Sequence, residues 1–214
     1  MVLLLACAPP PLEQGTFESM GSPIDVLVHG DGERATRLVE EAFAEVEADP
    51  ESAELLLEAE RIRVLTDGAF DVGWNGGVDV GGIAKGWALD RAADRLVAEG
   101  MSDFCLSAGG QVLVRGEHEG RAWRVGVRAP GAPLHVAATT LELTDASVST
   151  SAQYERPGHI VDPRTGETAR GTGSATVIAA TATRADALST ALFVLGPDDG
   201  ALLAERLALE VLFL

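Results

Sequence analysis

The chain has 214 residues and a net charge of −17, with 33 acidic residues against 16 Lys and Arg. This length suits a single domain that buries most of its apolar surface. Apolar residues make up 46% of the chain, and no run reaches the roughly 20 apolar residues of a membrane-spanning helix. The excess of negative charge argues against nucleic acid or an anionic membrane as the main partner, because both favour basic surfaces.

Residues 1–19 are predicted to be a tether or the remnant of a signal, ahead of one domain over residues 20–214. Cys7 follows a short apolar segment and a small residue, as at the end of a bacterial lipoprotein signal, although the segment carries no Lys or Arg. A lipid on Cys7 would be the only link to a membrane. The expected location is then the periplasmic face of the cytoplasmic membrane, or the periplasm, and it is the cytoplasm if the segment is not a signal. Cys105 lies in an apolar run and is expected to be a buried strand thiol.

The predicted elements change type along the chain. A short strand at 24–28 is followed by helical periodicity over 34–48, 52–65 and 83–99. From residue 103 a period of two predicts strands at 104–107, 111–115, 122–128, 134–143, 159–161 and 174–179. Helices at 185–195 and 198–207 and a strand at 209–214 close the chain. Helices that cluster early and late predict an α+β fold, a largely antiparallel or mixed sheet with helices around it in one compact unit.

A glycine-rich strand-to-helix turn at 79–86 contains Asp79, Gly81, Gly82 and Lys85 just before the third predicted helix. Such a turn can grip a phosphate, because glycines let the backbone approach a ligand and a helix N-terminus presents unpaired N–H groups. It is neither a Walker A loop nor the Gly-x-Gly-x-x-Gly of a dinucleotide fold. Taken alone, the segment is equally compatible with a turn that only packs a helix on a sheet.

Two later segments carry further candidate groups. His159 lies on the predicted strand at 159–161, where it could act as a base or fill a structural role. Asp186, Ser189 and Thr190 lie at the start of an apolar helix. Because residues four apart share a helix face, Asp186 and Thr190 can direct oxygens to one spot, which suits a hard cation such as Mg²⁺. The alternative for Asp186 is a carboxylate that the dipole of its own helix favours.

Four segments in this order resemble one protein family. They are the loop at 66–77 with Ala69-Phe70-Asp71, the turn at 79–86, the His-x-x-Asp-Pro-x-Thr-Gly segment from His159, and the helix start at 185–190. The resemblance is to the ApbE family, the FAD:protein FMN transferases, and it extends over almost the whole of residues 20–214.

The resemblance implies an enzyme that uses Mg²⁺ to transfer FMN from FAD to a Thr or Ser of a target protein, with release of AMP. His159 is the candidate base for the attacking hydroxyl, and it and Asp186 are the expected catalytic residues. Mg²⁺ would be bound by the carbonyl of Gly82 and by Asp186 and Thr190, with Ser189 beside them. By the same resemblance, FAD would lie against Met20, Ala69, Phe70, Asp71, Asp79, Lys85 and Ile160.

The chain departs from the family pattern in the region before Ala69. Other members carry a longer segment there, with an aromatic residue that stacks on the flavin. Here the region is an acidic helix pair over 33–65 with one aromatic residue, Phe43. Trp74 or Trp87 could replace the stacking residue, or each could be a packing residue.

A second departure lies before His159, where the family's Thr-Ser-Gly is replaced by Ser149-Thr150-Ser151-Ala152. Three functions therefore remain open at this stage. The first is a flavin transferase that acts on a partner protein, the second is an FAD pyrophosphatase that gives FMN and AMP, and the third is a flavin-binding protein that has lost catalysis.

Overall fold

A computed structural model describes residues 10–133, 136–153, 158–169, 171 and 173–214. Within these ranges the chain forms, in order, β1 (Leu12–Ser19), β2 (Ser22–His29), α1 (Gly32–Ala48), α2 (Ala53–Leu65), α3 (Ala84–Ala98), β3 (Phe104–Ala108), β4 (Gln111–Arg115), β5 (Trp123–Val127), β6 (Thr139–Leu143), β7 (Ala146–Ala152), β8 (Ser174–Ala179), α4 (Ala182–Arg206) and β9 (Glu210–Phe213). The main sheet has the order β1-β2-β3-β4-β7-β8-β9, and each neighbouring pair is antiparallel. The predicted α+β class is confirmed.

The main sheet is covered on both faces. On one face, alternate residues of β2 such as Ile24 and Val26 pack with Phe43 of α1 and Leu89 of α3 in a fully buried cluster. The other face is covered by the two-stranded sheet β5-β6, whose Trp123 packs in a separate cluster with residues of β4 and β7. The period-two pattern of the strands thus separates two layers of core.

Helix α4 and the loop before α3 share a third cluster, which joins residues of α2, β8 and α4 to the loop residues Ala69 and Phe70. α4 contains a break at Gly196, where φ is 76° and ψ is 179°, followed by Pro197. The sequence predicted two helices separated at this point, and the break confirms that expectation. Among the described helices only α4 is long and apolar enough to cross a membrane, and half of its apolar window is buried, as in the core helix of a globular protein.

The predicted domain boundary is wrong at its N-terminal end, because Leu12–Ser19, assigned to the tether, form β1. β1 pairs with β2 through a two-residue turn in which both Met20 (φ 50°) and Gly21 (φ 67°) have positive φ. Two residues at positive φ match the twist of an antiparallel hairpin. The edge strand itself is rich in polar residues, so its sequence gives no clear period-two signal. Cys7 lies outside the described residues.

Three further strand predictions need correction. Residues 159–161 do not form a strand, and Val161 makes only an isolated bridge with Thr168. Among the described residues, a loop and not a strand leads directly into the glycine-rich turn at 79–86. In the predicted strand at 134–143 only Thr139–Leu143 are a strand, and residues 134 and 135 lie outside the described ranges. Cys105 lies on β3 as expected, and burial raises the pKa of its thiol to about 12.

Candidate active site

Asp186 lies in the second turn of α4 and is 6% exposed. The backbone N–H of Gly86 in α3 donates a 3.0 Å hydrogen bond to its Oδ2. Asp186 therefore accepts a bond from the neighbouring helix, and it is not the N-terminal carboxylate of its own helix, which begins at Ala182. Burial raises the pKa of the Asp186 carboxyl, while the positive charge of Lys85 and the Gly86 N–H act in the opposite direction.

Four hydroxyl groups, two on α4 and two on β7, gather one turn further along α4. Ser189 Oγ lies 2.9 Å from the carbonyl oxygen of Asp186 and 2.8 Å from Ser151 Oγ of β7. Thr190 Oγ1 lies 3.2 Å from the same Ser151 oxygen and 3.3 Å from the Asp186 carbonyl. Ser149, two residues before Ser151, places its Oγ 3.2 Å from Ser189. Both α4 hydroxyls therefore contact the backbone carbonyl of Asp186, and the binding of a cation by the Asp186 carboxylate together with Thr190 stays a prediction.

Ser149 and Ser151 are functional candidates that the sequence reasoning did not assign. Alternate residues of a strand face the same side, so both hydroxyls point from β7 toward α4. The signal was present as the Ser-Thr-Ser-Ala segment that departs from the family pattern. Its meaning depends on the pairing of β7 with α4, which the sequence alone does not show.

The glycine-rich turn passes directly against the hydroxyl cluster. A Cβ built on Gly82 would lie 3.4 Å from Thr190 Oγ1 and 3.2 Å from Cε2 of Phe70. α3 begins two residues later at Ala84, which places Lys85 in its first turn. The turn itself is closed by the Asp79 side chain, whose Oδ1 accepts the Gly81 N–H at 3.0 Å. The fold therefore brings Gly82 next to Thr190 and next to the predicted FAD residue Phe70.

The other predicted FAD residues divide into a buried and an exposed set. Ala69, Phe70 and Ile160 are buried together in the cluster that also contains part of α4. Asp79 is exposed, and Asp71 is half-buried and accepts the N–H of Gly73 at 2.8 Å.

Met20 is the predicted FAD residue nearest to the N-terminus. It lies in the β1-β2 turn, where its N–H donates to Glu47 Oε1 at 2.9 Å. Its side chain packs against the cluster that includes Ala84 and Ala182, the first residues of α3 and α4.

His159 is exposed in the loop between β7 and β8, next to the buried Ile160. Gln153, which the sequence reasoning missed, ties this loop together. Its Nε2 donates to the carbonyls of Ile160 (3.2 Å) and Ala169 (2.8 Å), and its Oε1 accepts the N–H of Gly158 at 2.7 Å. Three hydrogen bonds of this amide side chain, directly after β7, therefore tie together parts of the loop that carries the candidate base.

The two tryptophans considered for flavin stacking differ in their surroundings. Trp87 packs between two of the core clusters, and the Arg91 guanidinium lies 4.6 Å from its ring centroid. Trp87 is therefore a packing residue. Trp74 is half-buried in the loop at 66–77 that also carries Asp71.

The donor set around Asp186 fits Mg²⁺. One carboxylate, the hydroxyls and a backbone carbonyl are all oxygen donors, which a hard cation prefers. Within the described ranges, the Gly86 N–H is the one hydrogen-bond donor to the buried Asp186 carboxylate, so a cation would offset the cost of its burial. No group of three His, Cys, Asp or Glu side chains that could hold a metal occurs in the same ranges. A cation here would depend on backbone and hydroxyl oxygens.

This arrangement defines a candidate site for a hard cation and a phosphorylated ligand, carried by an antiparallel α+β scaffold. The ApbE family model matches residues 74–213, and the chain belongs to the ApbE family.

Relatives and solved structures agree with this membership. The chain is 39% identical over 141 residues to a protein of Rhodobacter capsulatus named FAD:protein FMN transferase. The aligned region covers 62% of this chain and 27% of that protein. It is 34% identical over 144 residues to the protein of that name from Escherichia coli (strain K12), covering 63% and 41%. The match thus spans less than half the length of these two curated relatives.

The fold is shared with solved ApbE structures. The apo flavinyl transferase ApbE of Pseudomonas stutzeri superposes with a TM-score of 0.82 at 25% identity, over 100% of this chain and 92% of that chain. The flavin transferase ApbE of Vibrio cholerae gives 0.82 at 23% identity, over 95% and 94%. The ApbE-like fold predicted from the sequence is confirmed.

Proposed function

We propose that this chain transfers FMN from FAD to a Thr or Ser of a target protein, with Mg²⁺ as cofactor and AMP as the second product. The proposal rests on one observation above the others, the buried Asp186 carboxylate that accepts the Gly86 N–H, one turn of α4 before Thr190, which Gly82 approaches. The name FAD:protein FMN transferase of its relatives supports the same reaction.

The residues that would hold Mg²⁺ are the carbonyl of Gly82 and the side chains of Asp186 and Thr190, with Ser189 beside them. The bound cation would neutralise charge on the phosphate oxygens of FAD. The cation would also offset the repulsion between a chain of net charge −17 and the negatively charged pyrophosphate of FAD. Lys85, in the first turn of α3, adds a positive charge near the N-terminus of that helix, where an anion is favoured.

In the proposed reaction, the hydroxyl oxygen of the acceptor bonds to the phosphorus of the FMN moiety. The bond from this phosphorus to the bridging oxygen breaks, and AMP leaves with that oxygen. The hydroxyl proton passes to a base, for which His159 is the candidate because it lies beside the proposed FAD residue Ile160 on an exposed loop. The protein mainly positions the groups in line, as in other phosphoryl transfers.

FAD is proposed to lie against the buried set of Ala69, Phe70 and Ile160 and against the polar groups of Asp71, Asp79 and Lys85. Met20 would contact it from the β1-β2 turn. The exposed carboxylates would accept hydrogen bonds from ligand hydroxyls or N–H groups, while the buried set provides the apolar wall. For the N-terminal segment, the proposal is a lipid on Cys7 at the periplasmic face of the membrane, which labelling with a radioactive fatty acid before and after Cys7→Ser would test.

The test is incubation of the chain with FAD, Mg²⁺ and an acceptor protein that carries an Asp-x-x-(Ser/Thr)-Gly-Ala-Thr segment. Mass spectrometry follows the acceptor, and chromatography follows AMP and FMN. We expect AMP and flavin-modified acceptor in equal amounts. Free FMN with an unmodified acceptor would instead identify an FAD pyrophosphatase, and bound FAD without AMP release would identify a flavin-binding protein. In the same assay, Asp186→Asn removes the charge proposed to bind Mg²⁺ and should slow AMP release. Asp198→Asn, an exposed change in α4 beyond the break at Gly196, is its matched control.

A further inference from the structure

Helices α3 and α4 touch at Gly86. A Cβ built on Gly86 would lie 2.4 Å from the carbonyl oxygen of Ala182 and 2.8 Å from Cα of Thr183. No side chain fits there, so the backbones of the two helices are in contact. The position of α4 relative to α3 is therefore set at this crossing, and it determines where Asp186 lies relative to Gly82 and Lys85.

Each helix supplies a carboxylate to the backbone of the other. Asp186 of α4 accepts the Gly86 N–H of α3 at 3.0 Å. In return, Asp90 of α3 accepts the N–H of Ala182 on Oδ1 at 2.8 Å and the N–H of Thr183 on Oδ2 at 2.9 Å. The Thr183 hydroxyl donates a further bond of 2.5 Å to the same Oδ2. Since Gly86 and Asp90 are one turn apart, as are Ala182 and Asp186, the two contacts lie one turn apart along the crossing.

Asp90 satisfies backbone groups that α4 cannot satisfy itself. The first N–H groups of a helix have no partner within it. The side chain of the helix's own N-cap residue, Thr181, accepts the Arg184 N–H at 3.4 Å. Gln111 of β4 fixes the same turn from the other side, because its Nε2 donates to the Ala182 carbonyl at 2.6 Å.

We propose that Asp90 is a positioning residue for the metal side of the site, the part formed by Gly82, Asp186, Ser189 and Thr190. Its carboxylate fixes the first turn of α4 on α3, and this places the Asp186 carboxylate, one turn later, opposite the Gly82 turn. Asp90 contacts neither the proposed cation nor FAD. The inference rests on the proposed function only for the identity of the ligand, a divalent cation.

The test is direct binding of Mn²⁺, as a probe for Mg²⁺, to the full chain without FAD or acceptor, measured from the electron paramagnetic resonance signal of free Mn²⁺. Both carboxylate oxygens of Asp90 accept a backbone N–H of α4. In Asp90→Asn an NH₂ group replaces one of these oxygens and cannot accept, so one of the two N–H groups loses its bond. We expect the Kd for Mn²⁺ to rise about tenfold, the size of a lost helix cap. Asp94→Asn, an exposed change in the same helix, is the matched control and should leave the Kd unchanged.

Thr183→Val is the second variant, in case Asp90→Asn does not fold. It removes only the hydroxyl bond and leaves both N–H bonds to Asp90, so the Kd for Mn²⁺ should rise about threefold. Circular dichroism confirms that each variant has the wild-type helix content. Backbone hydrogen exchange of residues 182–186 should be faster in Asp90→Asn, because the N–H groups of Ala182 and Thr183 donate to Asp90 in the wild type.

Wild-type affinity for Mn²⁺ in folded Asp90→Asn and in Thr183→Val would overturn the proposal, because Asp90 would then serve only the stability of the helix. A failure of the wild-type chain to transfer FMN would overturn the proposed function instead. Since Mn²⁺ binding is measured without FAD, the two results are independent.

Discussion

The metal side of the candidate site, formed by Gly82, Asp186, Ser189 and Thr190, differs in construction from the nucleotide side around Asp71 and Asp79. On the metal side, side chains bond to groups far away in the chain, such as Asp186 to Gly86 across 100 residues and Ser189 to Ser151 across 38. The carboxylates of the nucleotide side bond to N–H groups only two residues ahead. The metal side is thus built by the fold, and the nucleotide side by local turns.

This difference predicts different consequences of mutation on the two sides. Changes on the metal side disturb groups that are already fixed against each other before a ligand arrives, so they should affect the reaction strongly. Changes on the nucleotide side remove a contact to the ligand and leave the turns intact. They should weaken substrate binding with little effect on the fold.

The largest effect is expected for Asp186→Asn. The amide can still accept the Gly86 N–H, but it has no charge to bind a cation, so the rate of AMP release should fall about 10²–10³-fold. Chromatography of AMP at saturating FAD and Mg²⁺ measures this change. Asp198→Asn should retain the wild-type rate. Full turnover by Asp186→Asn would show that the metal side is assigned to the wrong residues.

A smaller effect is expected for Gly82→Ala. The added methyl would lie 3.2 Å from Phe70 Cε2 and 3.4 Å from Thr190 Oγ1, closer than ordinary packing on the ring side. The turn would have to shift by a few tenths of an ångström away from the Phe70 ring, and the rate should fall about tenfold because the reacting groups are misplaced. Gly77→Ala is the control, since its Cβ has only the Asn75 side chain at 3.4 Å in an exposed loop. Equal rates for both variants would argue against a role of the Gly82 carbonyl.

On the nucleotide side, Asp79→Asn should change binding and leave chemistry almost unaffected. The amide oxygen can still accept the Gly81 N–H that closes the turn, so the fold is retained. A hydrogen bond from the ligand to a neutral acceptor is weaker than one to a carboxylate, so the KM for FAD should rise about threefold with kcat unchanged. Initial rates over a range of FAD concentrations measure both constants. A fall in kcat with an unchanged KM would place Asp79 on the reacting side.

The elements that the sequence predicted well are those with a regular period. The three early helices at 34–48, 52–65 and 83–99 match α1, α2 and α3 within two residues at each end. Asp186 and Thr190 lie in one helix, as their spacing of four residues predicted, and the binding of one cation by both side chains stays a prediction. The break in α4 was predicted because Gly196 and Pro197 interrupt the helix chemically.

The features that the sequence did not predict either have a weak local pattern or depend on contacts between distant segments. β1 has mostly polar residues because it is an edge strand, and only its pairing with β2 identifies it. β7 was missed because small hydroxyl residues weaken the period-two signal. The roles of Ser151 and Asp90 arise from partners 38 or more residues away. No local pattern carries that information.

The smallest expected effect concerns stability and follows from the pKa of Asp186. Burial raises this pKa in the folded chain above its value in the unfolded chain, so folding favours the protonated carboxyl. The metal-free protein therefore loses stability as the pH rises from the unfolded pKa through the folded pKa, and the loss is constant at higher pH. Asp186→Asn lacks this titration. In EDTA it should have a higher Tm than the wild type at neutral pH, by about 2–4 °C for each kcal/mol of difference.

The difference in Tm should shrink toward acid pH, where the wild-type carboxyl is protonated in both states. Saturating Mg²⁺ should reverse the sign at neutral pH, because the cation stabilises only the wild type. Thermal unfolding of both proteins by circular dichroism, at several pH values with EDTA or Mg²⁺, measures these changes. Asp79→Asn should show neither change, because Asp79 is exposed in a local turn. Parallel Tm curves for Asp186→Asn and the wild type would mean that burial of this carboxylate has no cost in the free protein, and that the metal side does not need the cation for its stability.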